Sequence, residues 1–120
     1  MMMRTLVAVL LAAQSPTPAT PADEVRLTQE NRAAIRCSAA FAIIAHLQST
    51  GDESARKWPD LGPRGREFFV VALAQVMDQT GLDRNGVAQL VGDEARRLRD
   101  EGAVDAVMPA CLVMLEASGV

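Results

Sequence analysis

Cys37, in RCSAAFAIIAHL, and Cys111, in VMPACLVMLE, each sit in the middle of an apolar run, and they are the only cysteines in the chain. Thiols placed in this way are inert buried hydrophobes, members of a catalytic or metal pair, or the two ends of a disulfide. Each choice implies a different compartment and a different way of holding the chain together. A structural zinc site wants four Cys or His ligands, and the single histidine, His46, brings the supply only to three. His46 also lies far enough along from Cys37 that the two point to different faces of a helix. No Cys-X-X-Cys redox motif is present. A disulfide or two inert thiols remain, and the compartment decides between them.

The N-terminus supplies the compartment. MMMRTLVAVLLAA has a basic residue, Arg4, followed by the apolar run Thr5–Ala13, and then the uncharged QSPTPATPA. This is the layout of a secretory signal peptide, and the run is too short for a bilayer that needs about 20 apolar residues. The prolines that follow would break a helix continued from it. Cleavage is expected after Ala13, Ala19 or Ala22, so residues 1–22 read as signal peptide and Pro-rich spacer and residues 23–120 as one helical domain. The expected location is periplasmic or secreted, with no stable membrane insertion of the mature chain. Such compartments make and keep disulfides, so Cys37 is expected to pair with Cys111. Closing a loop of ~75 residues restricts the unfolded chain by roughly 4 kcal/mol in the chain-entropy account, an upper figure that strain reduces.

Apolar spacing along the rest of the chain is helical throughout. Ala33, Cys37, Ala40, Phe41, Ile44 and Leu47 recur at three- and four-residue steps and predict a helix from about Thr28 to Gly51. GDESARKWPDLGPRG then reads as a connection with one helical turn around Ser54 to Lys57. A second helix opens near Pro63, turns Phe69, Ala72, Leu73, Val76 and Met77 inward, and stops at Gly81. A third runs from Asp83 or Asn85 to Glu101 on Val87, Leu90, Val91, Ala95 and Leu98. The last covers Ala103 to Ser118 on Val104, Met108, Cys111 and Leu115, with Pro109 kinking or restarting it. No strand-like alternation occurs. The fold class is all-α: four helices as a bundle or its orthogonal variant, the first and last bridged by the disulfide.

From Met77 to Gly102 the chain reads MDQTGLDRNGVAQLVGDEARRLRDEG. Thr80, Gly81 and Leu82 in the turn, with Val87 and Leu90 or Val91 after it, resemble the helix-turn-helix of bacterial repressors. The resemblance implies DNA binding, with Arg84, Asn85, Gln89 and Arg96 toward a groove. Asp93 and Glu94 in the middle of that helix would repel a phosphate backbone, and Asp100 and Glu101 flank Arg96, Arg97 and Arg99. The net charge of −3 supplies no general attraction to nucleic acid. A solvated, ion-paired face is the simpler reading, with no nucleic acid as partner. A calcium loop centred on Gly86 also fails, because it would put Gly81 and Gly92 where carboxylates belong.

No catalytic set emerges either. The paired acids Asp93–Glu94 and Asp100–Glu101 are sequence neighbours, which do not converge on one substrate from a helix. Ser38, Ser49, Ser54 and Ser118 lack a placed imidazole. No cofactor and no metal are expected, and the chain reads as a non-enzymatic protein-binding or structural module. A DNA-binding protein, or a small enzyme whose site shows no motif, is the alternative. The candidate interface is the connection itself, where Trp58 and Lys57 stand among prolines and glycines with Arg56, Arg64 and Arg66. An aromatic flanked by arginines on a loop is the composition of an interface anchor, although Trp58 could equally fold back to cover the open end of the helices. The partner would be another periplasmic protein.

From its leader through Cys37 to MPAC at residues 108–111, the chain resembles short, leader-bearing, two-cysteine helical proteins of alphaproteobacteria. The resemblance implies a periplasmic home and no particular chemistry. Export is checked by N-terminal sequencing of the protein expressed in a Gram-negative host. The mature chain should begin at Gln14, Thr20 or Asp23, and an intact Met1 in the soluble cytosolic fraction would refute the leader.

Overall fold

Thr28 starts the first helix by accepting a hydrogen bond from the Asn31 amide at 3.0 Å, one of the donors that a helix start leaves without an internal partner. In the computed structural model, which describes residues 27–120, four α-helices follow: α1 (Gln29–Ser49), α2 (Gly62–Thr80), α3 (Arg84–Asp100) and α4 (Val104–Ala117). No strand occurs among the described residues. The expected signal peptide and spacer, residues 1–22, and the first residues of the helical domain, 23–26, lie outside them. A single 3-10 turn, Glu53–Ala55, interrupts the first connection. It begins just before the turn expected at Ser54 to Lys57, because Asp52 caps it through the Ser54 amide at 2.9 Å.

The corners are cut by specific residues. Gly81 adopts φ 74°, a left-handed conformation that disfavours other residues, and its amide reaches Met77 O at 2.9 Å to close α2. Two residues on, the Asp83 carboxylate accepts from the Gly86 amide at 2.8 Å and opens α3. Gly102, at φ 62°, makes the same left-handed stop after α3. Pro63 lies in the first turn of α2, where its missing N–H costs nothing. Pro109 sits inside α4, which nonetheless runs unbroken from Val104 to Ala117, so the helix does not restart there.

Burial corrects the single stripe expected on α1. Ile35, Cys37, Ser38, Ala39, Ala40, Phe41, Ile43 and Ile44 are all buried, whereas Ala33 and Leu47 are only half so. The helix is covered on almost every side because α2, α3 and α4 all pack against it, while α2 and α3 touch far less. Small side chains at positions 38–40 permit that close approach from several directions. On α2 the inward row is Gly65, Phe68, Ala72, Leu73 and Val76. Phe68 is buried and meets Phe41 edge-on at 5.2 Å between ring centroids. Phe69 and Met77, expected inward, are half-buried instead. The row is displaced because α2 touches α1 through Gly65, where a Cβ would stand 3.6 Å from Phe41 Cβ.

On α3, Val87, Val91 and Leu98 are buried while Leu90 and Ala95 lie at the edge; on α4, Met108, Cys111 and Leu115 are buried and Val104 is half-exposed. Cys37 and Cys111 form the disulfide, with their Cα atoms 5.1 Å apart, inside the usual range of about 4.4–6.8 Å. The first and last helices are therefore covalently joined within the core. One polar cost is visible there: the fully buried Ser38 hydroxyl has no hydrogen-bond partner among the described residues, a loss of about 1–3 kcal/mol.

Candidate functional site

Three of the four candidate interface residues, Lys57, Trp58 and Arg64, make contacts within the molecule. Gln48, near the end of α1, collects the following loop with one side chain: its Nε2 donates to Pro59 O at 2.8 Å and its Oε1 accepts from the Leu61 amide at 3.0 Å. The loop is thereby directed at the first turn of α4. There Lys57 Nζ donates to Asp105 Oδ2 at 2.6 Å and Trp58 Nε1 to Asp105 Oδ1 at 3.1 Å, while the ammonium lies 5.5 Å from the indole centroid. Trp58 is half-buried against the core and closes this end of the helices. The hydrogen bonds from Lys57 and then Trp58 hold the Asp105 carboxyl below the usual carboxylate range.

Arg64 serves the opposite end of α4. Its Nη2 donates to Glu116 Oε1 at 3.0 Å and to Val120 O at 3.0 Å, tying the start of α2 to the last residue of the chain. Arg56 and Arg66 are exposed and form no ion pair with another described residue. Trp58, Lys57 and Arg64 thus make intramolecular contacts while Lys57 stays exposed, and Arg66, without an ion pair to another described residue, lies beside a hollow shared with His46 and Phe69.

The repressor-like segment becomes a packing corner. Thr80 Oγ1 donates to Val76 O at 2.7 Å and accepts from the Leu82 amide at 3.2 Å, so T-G-L performs turn chemistry. On α3, Arg96 pairs with Asp93, and Arg97 pairs with Glu94 and, at 2.8 Å, with Glu101. Hydrogen bonding to Glu94, reinforced by its charge and by Glu101, raises the pKa of Arg97 and keeps it cationic. Arg84, Asn85 and Gln89 are exposed. His46 is exposed at the end of α1, and Cys37 is committed to the disulfide, so no thiol–imidazole pair forms. No group of three or more His, Cys, Asp or Glu among the described residues is placed to hold a metal ion.

The feature that sequence reasoning missed is an apolar groove of about 620 Å³ between α2 and α4, over the start of α1. Phe68, Ala72, Val76 and Asn31 are buried at its floor, and Val71 and Val113, 43% and 70% exposed, stand on its two walls. Ala110, Met114 and Ala117 extend the α4 wall, and Gln75 and Gln79 the α2 wall. The Asn31 side-chain amide makes no hydrogen bond to another described residue, although Asn31 is only 4% exposed. The signal was present in VMPACLVMLEA: α4 is apolar nearly all round, and a helix of that kind is normally covered on every side. Here α1 covers one face, and the face carrying Val113 is left open.

Neither a protein-family model, a curated protein nor a solved structure matches the chain.

The clamp at Asp105 is testable through pH. Because its folded-state pKa is lowered, the carboxylate contributes stability above the ordinary value of 3.8 and loses it as acid protonates the group below that value. Both Lys57 and Asp105 side chains are 54% exposed, so the contribution is at most about 1 kcal/mol. Asp105→Asn should therefore unfold slightly more easily than the parent at pH 7, and the difference should shrink as the pH is brought below 3.8 and the carboxylate is protonated. Denaturant titrations followed by Trp58 fluorescence at pH 7 and in acid decide it; a difference undiminished in acid would contradict the clamp.

Proposed function

We propose that this is an exported, disulfide-bonded helical protein that acts by binding another exported protein and not by catalysis. Its partner presents an apolar helix carrying basic residues to the α2–α4 groove. Export is supported by the Arg4 and Thr5–Ala13 leader, by the Cys37–Cys111 bond, and by the layout shared with leader-bearing alphaproteobacterial proteins. No helix among the described residues is long and apolar enough to cross a membrane.

The observation that carries the binding reading is the pair Val71 and Val113, exposed on facing walls of one groove with an apolar floor. Scattered single apolar residues need no explanation, but large ones converging on a concavity mark an interaction surface. The charge around the groove fixes the chemistry of the occupant. Glu30 lines it, and Glu67 and Asp78 share the Val71 face of α2 by helical spacing, as does Arg64, whose charge is paired with Glu116. None of the three acids Glu30, Glu67 and Asp78 is in an ion pair with another described residue, and no Lys, Arg or His lines the groove. An amphipathic helix with basic flanks satisfies both the apolar floor and the acidic rim.

The test uses the mature chain carrying a photo-crosslinker in place of Val71, exposed to periplasmic extract. It should crosslink to an apolar, basic-flanked segment of a partner, and Ala110→Trp, which fills the groove from an exposed position, should abolish the product. No product, or one undiminished by Ala110→Trp, would contradict the reading.

A further inference from the structure

We propose that Asn31 sets what the α2–α4 groove accepts: the partner helix carries one side-chain amide, an Asn or Gln, in the middle of its apolar face and pairs it with the Asn31 amide. The inference rests on reading the groove as a binding site and adds the residue that makes it selective.

Burial singles Asn31 out. Its backbone amide is taken by the Thr28 hydroxyl at 3.0 Å, so only the side chain is left to be served. Asn31 is 4% exposed. The other polar residues lining the groove, Glu30, Gln75, Gln79 and Ser118, are all exposed and keep water as a partner. Ser38 marks the opposite extreme, its hydroxyl sealed in the core without a partner. The Asn31 amide is not sealed in that way, and the groove it lines is where it meets solvent.

An occupant changes this. A helix laid over Phe68, Ala72 and Val76 expels the water of the groove, and a uniformly apolar face would seal the Asn31 amide with nothing to bond. A buried amide without a hydrogen bond is unfavourable. The groove therefore discriminates against the very helices that its apolar floor alone would favour.

Few groups restore the bond. The backbone of a helical occupant is hydrogen-bonded within itself, so the group comes from a side chain. A charged side chain is disfavoured on an apolar floor, and a basic one finds Glu30, Glu67 and Asp78 at the rim instead. A hydroxyl has a single hydrogen to donate, whereas an amide offers both a carbonyl and an NH2 and matches Asn31 on both. One such pair in an otherwise apolar contact also fixes register, as a single Asn does in a coiled coil. The acidic rim then places the partner's basic flank, and the amide pair places its centre.

The experiment uses the purified protein with Cys37 bonded to Cys111 and two labelled synthetic helical peptides. Each has about 18 residues, enough to span the groove, with Lys at both ends and a Leu/Ala apolar face. They differ only in carrying Asn or Ala at one central position of that face. Fluorescence anisotropy should show the Asn peptide binding roughly ten-fold tighter than the Ala peptide. Asn31→Ala keeps the backbone amide that Thr28 caps and should abolish this preference while the Ala peptide binds no worse. Asn31→Leu, which keeps the side-chain volume, should abolish it too. Together the protein and peptide substitutions form a double-mutant cycle that isolates the amide pair. Ala110→Trp should remove binding of both peptides, which assigns it to the groove.

Equal affinity of the two peptides for the parent, or a preference that survives Asn31→Ala, would overturn the role of Asn31 and leave the groove a binding site. Equal weakening of both peptides by Asn31→Ala would give Asn31 a purely structural part and overturn the proposal as well. If neither peptide binds the parent, or binding survives Ala110→Trp, the reading of the groove as a binding site fails and this inference with it.

Discussion

The bond between Cys37 and Cys111 fixes where α4 can lie, and the shape of the surface follows from that placement. It joins the middle of α1 to the middle of α4, with both thiols at 4% exposure or less. Without it, α4 would rest on the buried Met108 and Leu115, on the half-buried Val104, Val107, Leu112 and Met114, and on two exposed polar ties, Lys57 and Trp58 to Asp105 at one end and Arg64 to Glu116 at the other. Exposed ion pairs contribute little each, so the covalent link carries much of the positioning. With α4 held there, its outer face stands across from α2 and the groove exists.

α1 plays the complementary part. A four-helix bundle ordinarily shares its core among all its helices, but here α1 occupies the centre and the others are arranged on it. Phe41, meeting Phe68 over Gly65, sets the α2 contact, and Ala39 and Ala40 leave room for the rest. The unpaired Ser38 hydroxyl belongs to the same crowding: a small side chain was needed there, and it is buried without a partner. An apolar floor for the groove comes as a consequence, because the side of α2 that reaches α1 also faces α4 through Phe68, Ala72 and Val76.

Much of this was legible in the sequence. Thr28, Gly81, Asp83 and Gly102 marked helix ends by local chemistry that acts wherever the chain folds, and the structure places the ends beside them. The cysteine pairing was legible as well, since elimination leaves few uses for two buried thiols in a chain that reads as exported. Which face of each helix turns inward was less so. Periodicity finds an apolar stripe but not how many neighbours share it, so α1 reads as one-sided and the pattern points Phe69 inward where Phe68 is buried. Trp58 and Lys57 had the composition of an interface, but their partner, Asp105, lies 47 and 48 residues away, and no local pattern shows such a contact. The groove required knowing that α4 is covered on only one side.

The most direct measurement is a thiol count on the purified protein, denatured without reductant and treated with an alkylating label. With Cys37 bonded to Cys111, the mass should show no label, and two labels should appear only after reduction. Two labels on the unreduced, denatured chain would mean that α4 is held by packing alone, and the account of the groove as a covalently positioned surface would be wrong.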